Sequence, residues 1–140
     1  MTFVDTNVLL YAICPGESDR EKARIAQEIL RRDNLVLSIQ VLQEFYVQAT
    51  RISRTDAITH EEATALIKLW LRFQVVQQSV AILQHALDLK ARYQISYWDA
   101  AILAAAVYAG CTTVLSVDLN AGQRFDSAQV LNPFDDHHGA

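Results

Sequence analysis

Short apolar runs alternate with longer stretches of helical periodicity along nearly the whole chain. Thr2 to Val4 reads as a short buried strand, and Val8 to Ile13 as a brief helix ending before Pro15. Ser18 to Glu21 forms a capping-box pattern opening a helix to about Arg32, with Ala23, Ile25, Ala26, Ile29 and Leu30 on its apolar face. Asn34 to Ser38 predicts a second buried strand. Gln40 to Ile52 then predicts a helix faced by Val41, Leu42, Phe45, Ala49 and Ile52. Thr59 to Glu62 caps another helix running to Leu71.

Phe73 to Val76 is a third strand and Val80 to Tyr93 a further helix. Ser96 leads into a helix from Tyr97 to Ala109 that stops at Gly110. Thr112 to Val117 supplies a fourth strand, and Ala128 to Asn132 a fifth, expected at an edge. The tail from Asp135 to Ala140 is expected to be disordered, leaving residues 1–134 as one domain without repeat or linker. Alternating strands and helices imply an α/β sandwich on a parallel sheet.

Composition fits this picture. A chain of 140 residues, 51% hydrophobic, can bury a sizeable core. Cys14 and Cys111 sit in apolar surroundings without metal-ligand spacing, which points to a buried reduced pair in a cytosolic protein. Neither a signal peptide nor an apolar run long enough to span a bilayer is visible. A net charge of −4 argues against a nucleic-acid partner, unless several acids serve to hold cations.

Four acids fit that exception. Asp5 is the only charged side chain between Met1 and Gly16, Glu44 the only one from Asn34 to Thr50, and Asp99 the only one from Tyr93 to Val117. Asp118 has no charged residue from Leu119 to Gln123. The other acids mostly share helical surfaces with Lys or Arg, an ordinary solvated pattern. Asp99 lies on a stripe with Ile102, Leu103 and Ala106 in a helix apolar nearly all round, so burial is expected there. An ionised carboxylate in such a place costs several kcal/mol unless something pairs with it.

On the predicted elements, Asp5 and Asp118 follow the first and fourth strands, Asp99 opens its helix, and Glu44 lies one turn into the helix after the second strand. The carboxyl ends of parallel strands form one ligand-binding edge, so the four converge. Converging like charges need a counter-charge, and oxygen donors without His or Cys point to Mg²⁺ or Mn²⁺. Taken singly, each acid could instead cap a helix or pair with a distant cation.

The segments FVDTNVLLY, VLQEFYV, YWDAAILAAA and LSVDLNAGQ, in that order and at these intervals, closely resemble the PIN domain over roughly residues 2 to 133. At this length the chain looks most like the ribonuclease toxins of bacterial type II toxin–antitoxin modules. The resemblance implies a three-layer α/β/α sandwich on a short, mainly parallel sheet of four to five strands. It implies a cytoplasmic, Mg²⁺- or Mn²⁺-dependent endoribonuclease with Asp5, Glu44, Asp99 and Asp118 as its acidic quartet, supported by Thr6, Asn7 and Ser116. A cognate antitoxin and an RNA substrate follow from the same resemblance, and the apolar, low-charge helices leave surface for a homodimer to cover. Val117 departs from it, standing where many relatives carry a further acid.

Arg51 and Arg54 are candidates for RNA-phosphate contacts at the cleft rim. Tyr97 and Trp98, beside Asp99, read more readily as core packing than as base-stacking residues. His137 and His138 read as tail. Two rivals remain. An aspartyl-phosphate phosphotransfer domain needs a late Lys, yet the last is Lys90, and Asn7 stands where a hydrolase of that type wants a second Asp. A binding module with a non-catalytic acidic cluster would show no nuclease activity.

Overall fold

The computed structural model describes residues 1–13 and 19–135. Among these residues the elements run β1 (Thr2–Val4), α1 (Thr6–Ala12), α2 (Arg20–Ile29), β2 (Leu35–Ser38), α3 (Ile39–Ala49), α4 (His60–Trp70), β3 (Gln74–Val76), α5 (Val80–Tyr93), α6 (Tyr97–Tyr108), β4 (Thr113–Leu115), β5 (Arg124–Phe125) and β6 (Ala128–Leu131). The strands form one sheet in the order β3-β2-β1-β4-β6-β5. All neighbours pair in parallel except β5 with β6.

This is the expected α/β sandwich, with six strands instead of four to five. β5 has two residues, too few for any periodicity to register. Its antiparallel pairing also moves the Ala128 segment inward, between β4 and β5, so that strand is not the edge the sequence suggested.

Chain order advances from β1 to β2 to β3 and then returns across the sheet to β4. Right-handed crossovers therefore put α1 to α4 on one face and α5 and α6 on the other. The reversal falls between β1 and β4, so their carboxyl ends open a crevice.

α6 is nearly all buried, from Ala100 to Ala106, because α5 covers it from outside with Ile82, Ala86 and Leu89. Its alanines let the backbone lie close to both neighbours. α5 starts just past β3 at one sheet edge. It ends with Tyr93 against Phe125 of β5, ring centroids 4.8 Å apart, at the other. Arg92 donates two hydrogen bonds, of 2.9 and 3.1 Å, to Asp126 in the β5–β6 turn, and His85 Nε2 lies 3.0 Å from the same carboxylate. The Arg92 guanidinium, helped by His85, holds the Asp126 carboxyl below its ordinary pKa.

Several boundaries move for local reasons. α1 begins at Thr6, two residues before the expected Val8, because Asp5 occupies its N-cap. α3 ends at Ala49, where Thr50 Oγ1 donates back to the Tyr46 carbonyl at 2.7 Å; Ile52, expected on the apolar face, is 97% exposed. α2 begins at Arg20, and Glu21 accepts from Arg24 Nε at 2.9 Å. Ser18, Cys14 and the tail histidines lie outside the described residues, while Cys111 is buried with its thiol free. Among the described residues no helix is long and apolar enough to cross a membrane.

The capping box at α4 is complete. Glu62 N–H donates to Thr59 Oγ1 at 3.1 Å, and Thr59 N–H to Glu62 Oε1 at 2.9 Å. Thr59→Ala is expected to cost about 1 kcal/mol, lowering Tm by roughly 3–4 °C in a thermal scan.

Candidate active site

Asp5 leaves β1 in extended conformation and becomes the N-cap of α1. Thr6 N–H donates to Asp5 Oδ1 and Ser116 Oγ to Asp5 Oδ2, each at 2.7 Å. The residue is 7% exposed. Burial raises its pKa from an ordinary 3.8 to about 6; the two hydrogen bonds oppose that rise, while the charges of Asp118 and Glu44 add to it. The carboxylate is therefore capped yet still costly to ionise. Its capping bond does not exclude a second task.

Ser116, fully buried after β4, joins two of the acids. Its hydroxyl donates to Asp5 and accepts from Asp118 N–H at 3.2 Å and Leu119 N–H at 3.4 Å, which sets the turn carrying Asp118. Asn7 Nδ2 donates to Asp118 Oδ2 at 2.6 Å. Glu44 is exposed at the cleft edge and accepts from Gln40 Nε2 at 2.7 Å.

Asp99 lies in the first turn of α6, where its N–H donates to the N-cap Ser96 hydroxyl at 3.1 Å. It is half-buried, not enclosed as the surrounding apolar run suggested. The helix is sealed only from Ala100 onward, so its first turn stays open to the cleft. The Asp99 carboxylate has no hydrogen-bond or ion-pair partner among the described residues.

Asp5, Glu44, Asp99 and Asp118 line one cleft of about 230 Å³, together with Thr6, Asn7, Leu10, Gln48, Trp98 and Ile102. Among the described residues no Lys or Arg lines it. Thr6 Oγ1 is buried without a hydrogen-bond partner, a cost that a ligand accepting or supplying a bond there would remove. Among the described residues, no three His, Cys, Asp or Glu side chains stand close enough together to hold an ion as they are.

Arg54 lies beside the cleft, lining an adjoining cavity of about 210 Å³ with Asn7, Leu10, Tyr11 and Asp19, and its guanidinium is engaged by Asp56 at 2.6 Å. Arg51 is exposed past the end of α3 and does not line the cleft. Trp98 is 65% exposed on the cleft rim, so it is not the core residue expected from its apolar context.

Sequence reasoning missed Gln40. It is 8% exposed and donates both to Glu44 and, at 3.3 Å, to the Trp98 carbonyl, tying α3 to the start of α6. Its signal was present: an amide four residues before a lone acid, on one helical stripe.

The PIN domain family model matches residues 2–126. No curated protein sequence matches the chain significantly. Solved structures share the fold at low identity. A toxin–antitoxin complex from Klebsiella pneumoniae is 18% identical with a TM-score of 0.72, covering 96% of this chain and 99% of that one. Mycobacterium tuberculosis VapC20, a sarcin–ricin loop cleaving toxin, is 19% identical with a TM-score of 0.67, covering 84% and 90%. VapBC2 from Rickettsia felis, bound to a DNA fragment from its promoter, is 16% identical with a TM-score of 0.63, covering 92% and 96%.

Proposed function

The chain belongs to the PIN domain family, and from that premise we propose that it is a divalent-metal-dependent endoribonuclease, the toxin of a toxin–antitoxin pair. One observation carries the reading: four carboxylates from four separate segments line a single cleft that no cation lines. The Klebsiella complex and the sarcin–ricin loop cleaving toxin support the toxin assignment by likeness of fold.

The donor set fits a hard cation. Carboxylates and the unpartnered Thr6 hydroxyl are oxygen donors, and among the described residues neither His nor Cys lines the cleft. Asp5 and Asp99 are assigned as the residues that would hold Mg²⁺ or Mn²⁺, which lowers the pKa of an attacking water and offsets phosphodiester charge when bound. Glu44 and Asp118 complete the site or orient the attacking water. Ser116 and Asn7 fix Asp5 and Asp118, so less reorganisation is needed as the substrate reacts. Arg54 is assigned to a substrate phosphate, in competition with Asp56, and Arg51 to another.

The same reading includes an antitoxin that silences the cleft, a cytoplasmic setting, and a homodimer that covers the exposed Val80, Leu83 and Leu87 on α5. The test is cleavage of RNA by the purified chain with Mn²⁺, with Mg²⁺ and with EDTA. Cleavage confined to the metal-containing reactions is expected. Undiminished cleavage in EDTA removes the metal role, and none under any condition leaves a non-catalytic acidic cluster.

A further inference from the structure

The chain carries two tryptophans and treats them oppositely. Trp70 is 3% exposed and packs edge-on against Phe45, ring centroids 4.7 Å apart. Trp98 is 65% exposed on the rim of the acidic cleft, in the residue directly before Asp99. An indole left in water forgoes the large gain of burying it, so an exposed one beside a reactive cleft calls for an occupant.

Trp98 is also held in place. Its carbonyl accepts from Gln40, and its ring meets Tyr97 edge-on with centroids 5.1 Å apart and planes at 76°, an arrangement that constrains the indole.

We propose that Trp98 is a stacking platform that positions one unpaired nucleobase flanking the scissile phosphate. The inference rests on the nuclease reading and adds a substrate-positioning residue to it. The cleft's charge explains why stacking is needed. Four carboxylates and no lining cation give the polyanion little to hold on one wall, whereas the face of a base carries no such penalty. Bases in a duplex are stacked on their neighbours and unavailable, so a loop, bulge or end is the form that fits.

The test compares wild type, Trp98→Ala and Trp98→Phe on a single-stranded oligoribonucleotide and the same oligonucleotide in duplex, with Mn²⁺. Trp98→Ala should raise KM for the single strand roughly tenfold or more, with kcat within about twofold, and Trp98→Phe should recover most of the loss. An abasic site next to the scissile phosphate should impose the same penalty on wild type and none further on Trp98→Ala. Unchanged KM in Trp98→Ala, a fall in kcat alone, or equal abasic penalties in both proteins overturns the proposal while leaving the nuclease reading intact. If Trp98→Ala instead changes only the oligomeric state, the indole faces a second copy and the proposal fails. Should the wild type cleave nothing, fluorescence still decides. Quenching by the oligonucleotide that is lost in Trp98→Phe, with Trp70 as the buried background, supports stacking, and its absence overturns it.

Discussion

Asp5→Asn and Asp99→Asn are each expected to cut RNA cleavage by about a thousandfold while the protein stays folded. That is the several kcal/mol a correctly held divalent ion contributes to a charged transition state. The substitutions are close in shape. In the first, the asparagine oxygen can still accept from Thr6 N–H, whereas Ser116 Oγ, which already accepts from Asp118 and Leu119 N–H, loses its acceptor, a cost set against removal of a buried charge. In the second, the Ser96 cap binds the backbone of residue 99 and is untouched. Single-turnover kinetics with circular dichroism on the same samples checks both halves. Near-wild-type turnover in either variant rejects that residue as a ligand.

Metal-free stability should fall as pH rises from about 4 to about 6. Asp5 has a folded-state pKa of about 6 against an ordinary 3.8, with burial the first cause. Between those values the folded protein binds a proton that the unfolded chain has released, so its stability declines with rising pH. Below the window the group is neutral in both states and contributes nothing. Above it the penalty is complete, at about 3 kcal/mol, and at 7% exposure solvent does little to screen it. Melting curves in EDTA at pH 4, 5, 6 and 7 should show this component in wild type and not in Asp5→Asn, which should melt higher at pH 7. Mn²⁺ at about 100 times its dissociation constant adds ~2.7 kcal/mol to wild type and much less to the variant, bringing the two together or reversing their order. If Asp5→Asn melts lower in EDTA at pH 7, the carboxylate is chiefly a helix cap.

The four acids could be picked out because each interrupts a long uncharged stretch, and an isolated charge in an apolar run has few inexpensive explanations. Burial was read for both Asp5 and Asp99, and only Asp5 bears it. Asp99 looked enclosed because apolar residues follow it for two turns, but enclosure by α5 starts one residue later. Asp5, in a shorter apolar context, is the buried one, since the β1–β4 crevice closes over it through Ser116, 111 residues away. Long-range closure of that kind leaves no periodic trace. The bond from Gln40 to the Trp98 carbonyl escaped for the same reason, since it joins α3 to the start of α6, whereas the Gln40–Glu44 bond within one helix was open to a reading of the sequence. Core strands were legible from β-rich runs of three or four residues. β5 was not, since it exists only as the partner of β6.

The two outermost strands have a consequence for behaviour at high concentration. β3 offers three residues and β5 two to any strand arriving from another molecule, and β5 turns back through Asp126, which α5 clamps from the helical layer. So few free backbone groups cannot template a growing ribbon. Concentrated samples of this protein should therefore resist fibril formation, and thioflavin T should stay dark even in aged stocks.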